Sequence, residues 1–127
     1  MERTWLAAAL AALTIDVAAC ATHHGTSAPP ASERAAVTVK NDNWSDVVVF
    51  VVRGGTRSRI GSVTAMSTDT FRVPSELAPD GVLQLMVDPV GGHNVYVTDR
   101  IVVNSGQRVE LTVAQVLRMS SFSVWAR

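Results

Sequence analysis

Gln107-Arg108-Val109-Glu110-Leu111-Thr112-Val113 places Val109, Leu111 and Val113 on one side of an extended chain and Arg108, Glu110 and Thr112 on the other. Successive side chains of a strand point to opposite faces, so this stretch reads as a half-buried β-strand. Working outward, Asn104-Ser105-Gly106 turns the chain into it from a strand near Val95 to Val103. Pro89 and Gly91-Gly92 break that strand from Val82 to Val87, whose Leu83, Leu85 and Val87 share a face. Pro79-Asp80-Gly81 is turn chemistry, because Pro presets φ and Gly tolerates positive φ.

The same grammar runs back to Ala36. Thr68 to Val73 alternates, with Phe71 and Val73 on one face, and Pro74 ends it. Gly54-Gly55 joins Val47 to Val52 (VVVFVV) to Arg57 to Thr64 as a tight hairpin. The valine-rich run suits a central strand covered on both sides or set at a crowded sheet position. Gly61 in the return strand signals a bulge or a close backbone approach. Asn41-Asp42-Asn43 is a turn, and Ala36 to Lys40 a first strand. Beyond Val113, Ala114 to Met119 reads as a short helical turn and Phe122 to Trp125 as a closing strand. Seven to eight short strands predict an all-β fold, a small antiparallel β-sandwich of immunoglobulin-like architecture, with a small closed barrel as the alternative. Trp44 and Trp125 are either core anchors or exposed contact residues; Trp44 follows a polar turn, which favours partial exposure, and core packing is the default expectation for both.

Residues 1–20, MERTWLAAALAALTIDVAAC, have a different composition. Arg3 starts them, Trp5 to Ile15 are apolar, and small residues lead into Cys20, the chain's one cysteine. This is signal-peptide anatomy and too short for a stable membrane span. Val17-Ala18-Ala19-Cys20 resembles the lipobox of bacterial lipoproteins, an aliphatic residue and two small ones ahead of Cys. Glu2 and the late Asp16 depart from that pattern. The resemblance implies cleavage before Cys20, diacylglycerol on its thiol and an acylated new amino terminus, hence a membrane anchor. The chain then divides into a signal peptide at 1–19, a lipidated flexible tether at 20–35 and a sandwich domain at 36–127. In outline it is similar to small bacterial lipoproteins of unknown function, which places it in the cell envelope, facing the periplasm or on the outer membrane.

Chemistry is sparse. Without Glu2, Arg3 and Asp16, ten bases stand against nine acids, which is no nucleic-acid footprint. His23-His24 lies in the tether without further ligands. Asp88, His93 and Asp99 are close in sequence and raise a loop-borne metal or acid/base site, against which stands a solvated loop His beside surface acids. Gly91-Gly92 lacks the phosphate-loop pattern, and no Ser sits in a nucleophile elbow. No catalytic residue, metal site or cofactor is therefore expected. Arg53, Arg57 and Arg59 surround the Gly-Gly hairpin with no acid between Val47 and Ala65, and Arg57 and Arg59 share a face. They form a candidate interaction surface for an anionic partner, or else a charged edge that discourages aggregation. The expectation is a non-enzymatic structural or protein-interaction module held at the membrane through Cys20, with an envelope protein as partner. The alternative is a binding domain for a small molecule, glycan or metal.

Overall fold

The computed structural model describes residues 33–126, with side chains from Ala35 onward. Ten strands follow one another. They are β1 (Glu33–Asn41), β2 (Val47–Arg53), β3 (Thr56–Val63), β4 (Thr68–Pro74) and β5 (Val82–Leu83). Then come β6 (Leu85–Pro89), β7 (Tyr96–Val97), β8 (Ile101–Val102), β9 (Gln107–Val113) and β10 (Ser121–Trp125). Single 3-10 turns occupy Ser75–Leu77 and Leu117–Met119, the second inside the segment read as a helical turn. Sheet A has the order β10-β9-β1-β4 and sheet B the order β3-β2-β6-β7, while β5 and β8 pair as a two-stranded extension. The fold is an all-β sandwich.

Two details differ from the sequence reading. The strand count is ten because two expected strands are each broken once. Val82 to Val87 breaks at Gln84, where the Leu85 N–H donates to the Thr98 hydroxyl at 3.0 Å and the Gln84 side-chain amide donates to the Thr98 carbonyl at 3.0 Å. These side-chain bonds replace ladder bonds, and they also open Val95 to Val103 between β7 and β8. Secondly, the pairing is not wholly antiparallel: β1 lies parallel to β9, with Val37 beside Val109 and Val39 beside Leu111. Alternation fixes which side chains point inward but carries no information about strand direction. β1 begins at Glu33, ahead of the expected start at Ala36.

The core is mostly valine. Val37 and Val39, Val47, Val49 and Val51, and Val109, Leu111 and Val113 are fully or almost fully buried, together with Leu83, Leu85 and Val87. Burying each such side chain stabilises the fold by about 1.5–3 kcal/mol. β2 is central in sheet B, but only one of its faces is in the core. Val48, Phe50 and Val52 look outward and are half-buried, and the Arg57 guanidinium lies over the Phe50 ring at 5.5 Å from its centroid.

Gly61 fulfils both readings of its position. The β2–β3 register slips between Val49 and Phe50, and a Cβ on Gly61 would stand 2.7 Å from Cδ1 and 2.8 Å from Cζ of Phe71. Only a residue without a Cβ lets the aromatic ring lie against the backbone there.

Because β1 and β9 run one way and β2, β4 and β10 the other, the connections gather at two ends. The chain enters β1 at one end, beside the 54–55 hairpin, the 78–81 turn and the 104–106 turn. Four loops, 42–46, 64–67, 90–95 and 114–120, form the other.

Candidate functional site

The four-loop end is held together by short polar side chains. Asn41 is fully buried at the end of β1, and its Nδ2 donates to the carbonyls of Ser45 (2.9 Å), Thr64 (3.1 Å) and Val63 (3.3 Å). Its Oδ1 accepts the Asn43 N–H at 3.0 Å, an Asx turn. Asn43 repeats the move on Ser45 and extends its own Nδ2 to the carbonyls of Ala114 and Gln115 at 3.1 and 3.2 Å. Asp46 accepts the Ala65 N–H at 2.8 Å, and the Val90 N–H donates to the Asp46 carbonyl at 2.8 Å. One asparagine-rich turn therefore fixes the other three loops.

On that frame stand exposed apolar side chains: Trp44, Met66, Val90, Val95, Val116 and Met119. Trp44 is 73% exposed although it follows a rigid turn. Met66 has a positive φ of 58°, a conformation that costs an L-residue roughly 1–2 kcal/mol, and it too is exposed. Between the loops lies an open cleft of about 850 Å³. Tyr96, Leu117 and Pro89 supply its apolar lining, and Asn43, His93 and Arg118 are among its polar groups. The Tyr96 hydroxyl is pushed above its ordinary value, first by burial and then by the negative charge of Asp99.

The core expectation for the two tryptophans is corrected. Trp44 is at a loop tip, and Trp125, 56% exposed, sits on the outer face of sheet A with its indole N–H donating to Ser123 Oγ at 2.9 Å. In each case a polar or edge backbone position turns the ring outward, a signal that the polar turn before Trp44 carries in the sequence and that Trp125 lacks.

The structure separates the three hairpin arginines. Arg53 Nη1 reaches Asp80 Oδ1 at 3.1 Å across the 78–81 turn. Asp80 is held below the usual carboxylate value chiefly by the Val82 N–H, against an opposing effect of desolvation, with Arg53 adding to the lowering. Arg57 is engaged with Phe50, and Arg59 is exposed opposite Phe50 in the register. Arg57 and Arg59 do share the outer face of sheet B, and Arg53 belongs with Asp80 instead.

His93 is exposed on the 90–95 loop, Asp88 lies beside Val48 on sheet B, and Asp99 falls between β7 and β8. Among the described residues no group of three His, Cys, Asp or Glu side chains could hold a metal ion. Val17, Ala18, Ala19, Cys20 and His23-His24 lie outside the described residues. No protein-family model matches the chain, and no curated protein matches it.

Proposed function

We propose that this chain is a lipid-anchored protein of the bacterial envelope whose sandwich is a non-enzymatic protein-interaction module. The four-loop end is its contact surface. The observation that carries this reading is the set of exposed apolar side chains on a rigid frame at the end of the domain away from the start of β1. A protein does not ordinarily expose Trp, Met and Val together on fixed loops unless something covers them. With the anchor at Cys20, that end points away from the membrane, toward another envelope protein. Trp44 is the natural anchor residue, since aromatic side chains at the centre of an interface contribute most to binding.

Two measurements test the reading. Wild-type chain should incorporate labelled palmitate and fractionate with membranes, and Cys20→Ser should do neither. A photocrosslinking residue replacing Trp44 should capture one envelope protein in cells, while the same residue replacing Asn104, at the opposite end, should not. Trp44→Ala should then weaken binding to the purified captured protein by about thirtyfold, the cost of a central aromatic. Equal capture from both positions would reject the loop end as the contact surface.

A second reading rests on the cleft. Its volume of about 850 Å³ lies within the range of small-molecule sites, and Tyr96 and Arg118 give it one aromatic and one cationic group. A small anionic or glycan ligand would bind there without any protein partner, and Arg118→Ala would abolish that binding.

A further inference from the structure

We infer that the outer face of sheet A near the start of β1 is a contact surface for anionic phospholipid headgroups, an inference that rests on the lipid-anchored reading above. The register lines up Arg72, Ala36, Arg108 and Trp125 as one row across all four strands: Ala36 lies between Arg72 on β4 and Arg108 on β9, and Arg108 beside Trp125 on β10. Neighbouring strands are about 4.8 Å apart, so the arginines flank the Ala36 methyl at a backbone separation of about 10 Å. All three large side chains of the row are exposed.

The chemistry of the row suits a headgroup layer. A guanidinium presents several N–H donors in a plane and recognises phosphate with two parallel bonds. Indole is favoured at the boundary between hydrocarbon and water. The Trp125 N–H is already satisfied by Ser123, which leaves the ring itself for the lipid. Among the described side chains the acid beside the row on this face is Glu110, between Thr38 and Ser123, and Glu33 stands opposite Pro74 in the register. Arg72 already makes an interaction within the chain, and its guanidinium has further N–H donors for a phosphate.

Position and charge point the same way. Ala36 is sixteen residues from Cys20, a covalent reach of at most about 55 Å. The row lies near the start of β1, the described strand nearest along the chain to Cys20. Acids outnumber bases at the other end, where Asp42, Asp46, Asp69 and Asp88 stand against Arg118 and Lys40, the latter already paired with Asp42 at 3.1 Å. The entry half carries Arg53, Arg57, Arg72, Arg100 and Arg108 against Glu76, Asp80 and Asp99. An anionic surface would therefore attract the entry half and repel the loop end, which orients the domain with its apolar loops outward.

The test couples the full chain through Cys20, its only thiol, to a maleimide lipid in vesicles. Trp5→Phe and Trp44→Phe leave Trp125 as the only indole. Lipids brominated on their acyl chains should quench Trp125 in vesicles of phosphatidylglycerol mixed with phosphatidylcholine, and not in phosphatidylcholine alone. About 1 M salt, where the screening length is about 3 Å, should reverse the quenching. Replacing both arginines (Arg72→Gln with Arg108→Gln) should lower the docking constant about 25-fold, at about fivefold for each cation at an anionic surface. Lys40→Gln, at the far end of the same face and already paired with Asp42, should leave it unchanged, and urea midpoints check that every variant folds. Equal quenching in both vesicle types, no quenching in either, or quenching indifferent to the double substitution would each overturn the inference. The coupling supplies the anchor chemically, so such a failure leaves acylation in cells standing. Absence of palmitate on Cys20 in cells would reject the anchoring and leave the affinity of the surface measured on its own.

Discussion

Replacing Asn41 with Ala removes one side chain from the interior of the loop frame and should cost as much as a large core truncation. The amide donates to three carbonyls and accepts one backbone N–H, and the residue is fully buried. Two amide hydrogens shared among three acceptors make the individual donor bonds weaker than ideal. Each bond contributes a net 0.5–1.5 kcal/mol or so, and a buried carbonyl left without a partner adds about 1–3 kcal/mol. Together these place Asn41→Ala at about 3–4 kcal/mol. A domain of this size has roughly 5–14 kcal/mol in all. Equilibrium urea unfolding should show the midpoint falling by about 2–3 M, with the slope unchanged at a value near 1.3 kcal/mol/M. Asn43→Ala, at a half-buried site, should cost clearly less. Hydrogen exchange gives a second readout, since the Asn43 amide loses its acceptor and should exchange faster than the amides of β9. A loss below about 1 kcal/mol for Asn41→Ala, or an equal loss for Asn43→Ala, would refute the claim that this residue holds the loop end together.

Leu111→Ala removes three carbons from a fully buried site flanked by Val39 and Phe122, and should cost about 4 kcal/mol by urea unfolding, transfer and cavity combined. Arg57→Ala loses an exposed cation stacked over Phe50 and should cost no more than about 1 kcal/mol in the same assay. Gly61→Ala forces a methyl into the Phe71 ring and should cost about 1–3 kcal/mol, with Phe71→Leu recovering part of it in a double-mutant cycle. Asp80 has a native carboxyl below its ordinary value of 3.8, so the stability it confers is present above that value and is lost as pH falls through the native one. Urea midpoints between pH 2 and 6 should therefore fall more steeply for wild type than for Asp80→Asn on the acid side, and parallel curves would contradict the Val82 and Arg53 contacts.

Much of the fold was legible because a strand writes its two faces into alternate residues. Val109, Leu111 and Val113 are buried as their spacing predicts, and Gly54, Gly55, Gly81 and Gly106 all have positive φ in the turns where they were expected. The direction of β1 and the breaks at Gln84 and Thr98 were not legible. Direction leaves no periodic trace, and the breaks depend on side chains that meet only after folding. The loop-end site was hidden for a related reason. Val95 looks in sequence like the valines that fill the core, yet β7 begins only at Tyr96 and leaves Val95 exposed. Asn41 was read as a turn former, which it is, but its three carbonyl partners lie on Ser45, Val63 and Thr64, and no local pattern joins it to the last two.

The parallel seam between β1 and β9 also sets a timetable. A chain that emerges amino terminus first delivers β1 ahead of the other described strands, but one of its two neighbours is β9 (Gln107–Val113), which only β10 follows among them. Sheet A cannot be completed before β9 is out: β1 and β4 can pair, yet the hydrogen-bonding edge of β1 that belongs to β9 stays open until then. Closing so distant a contact is slow compared with forming a hairpin. Until it closes, the open edge of β1 is a row of unpaired N–H and C=O groups on which a strand of another chain could pair. Moving the β9–β10 segment ahead of β1 by circular permutation would make that contact local and should speed folding.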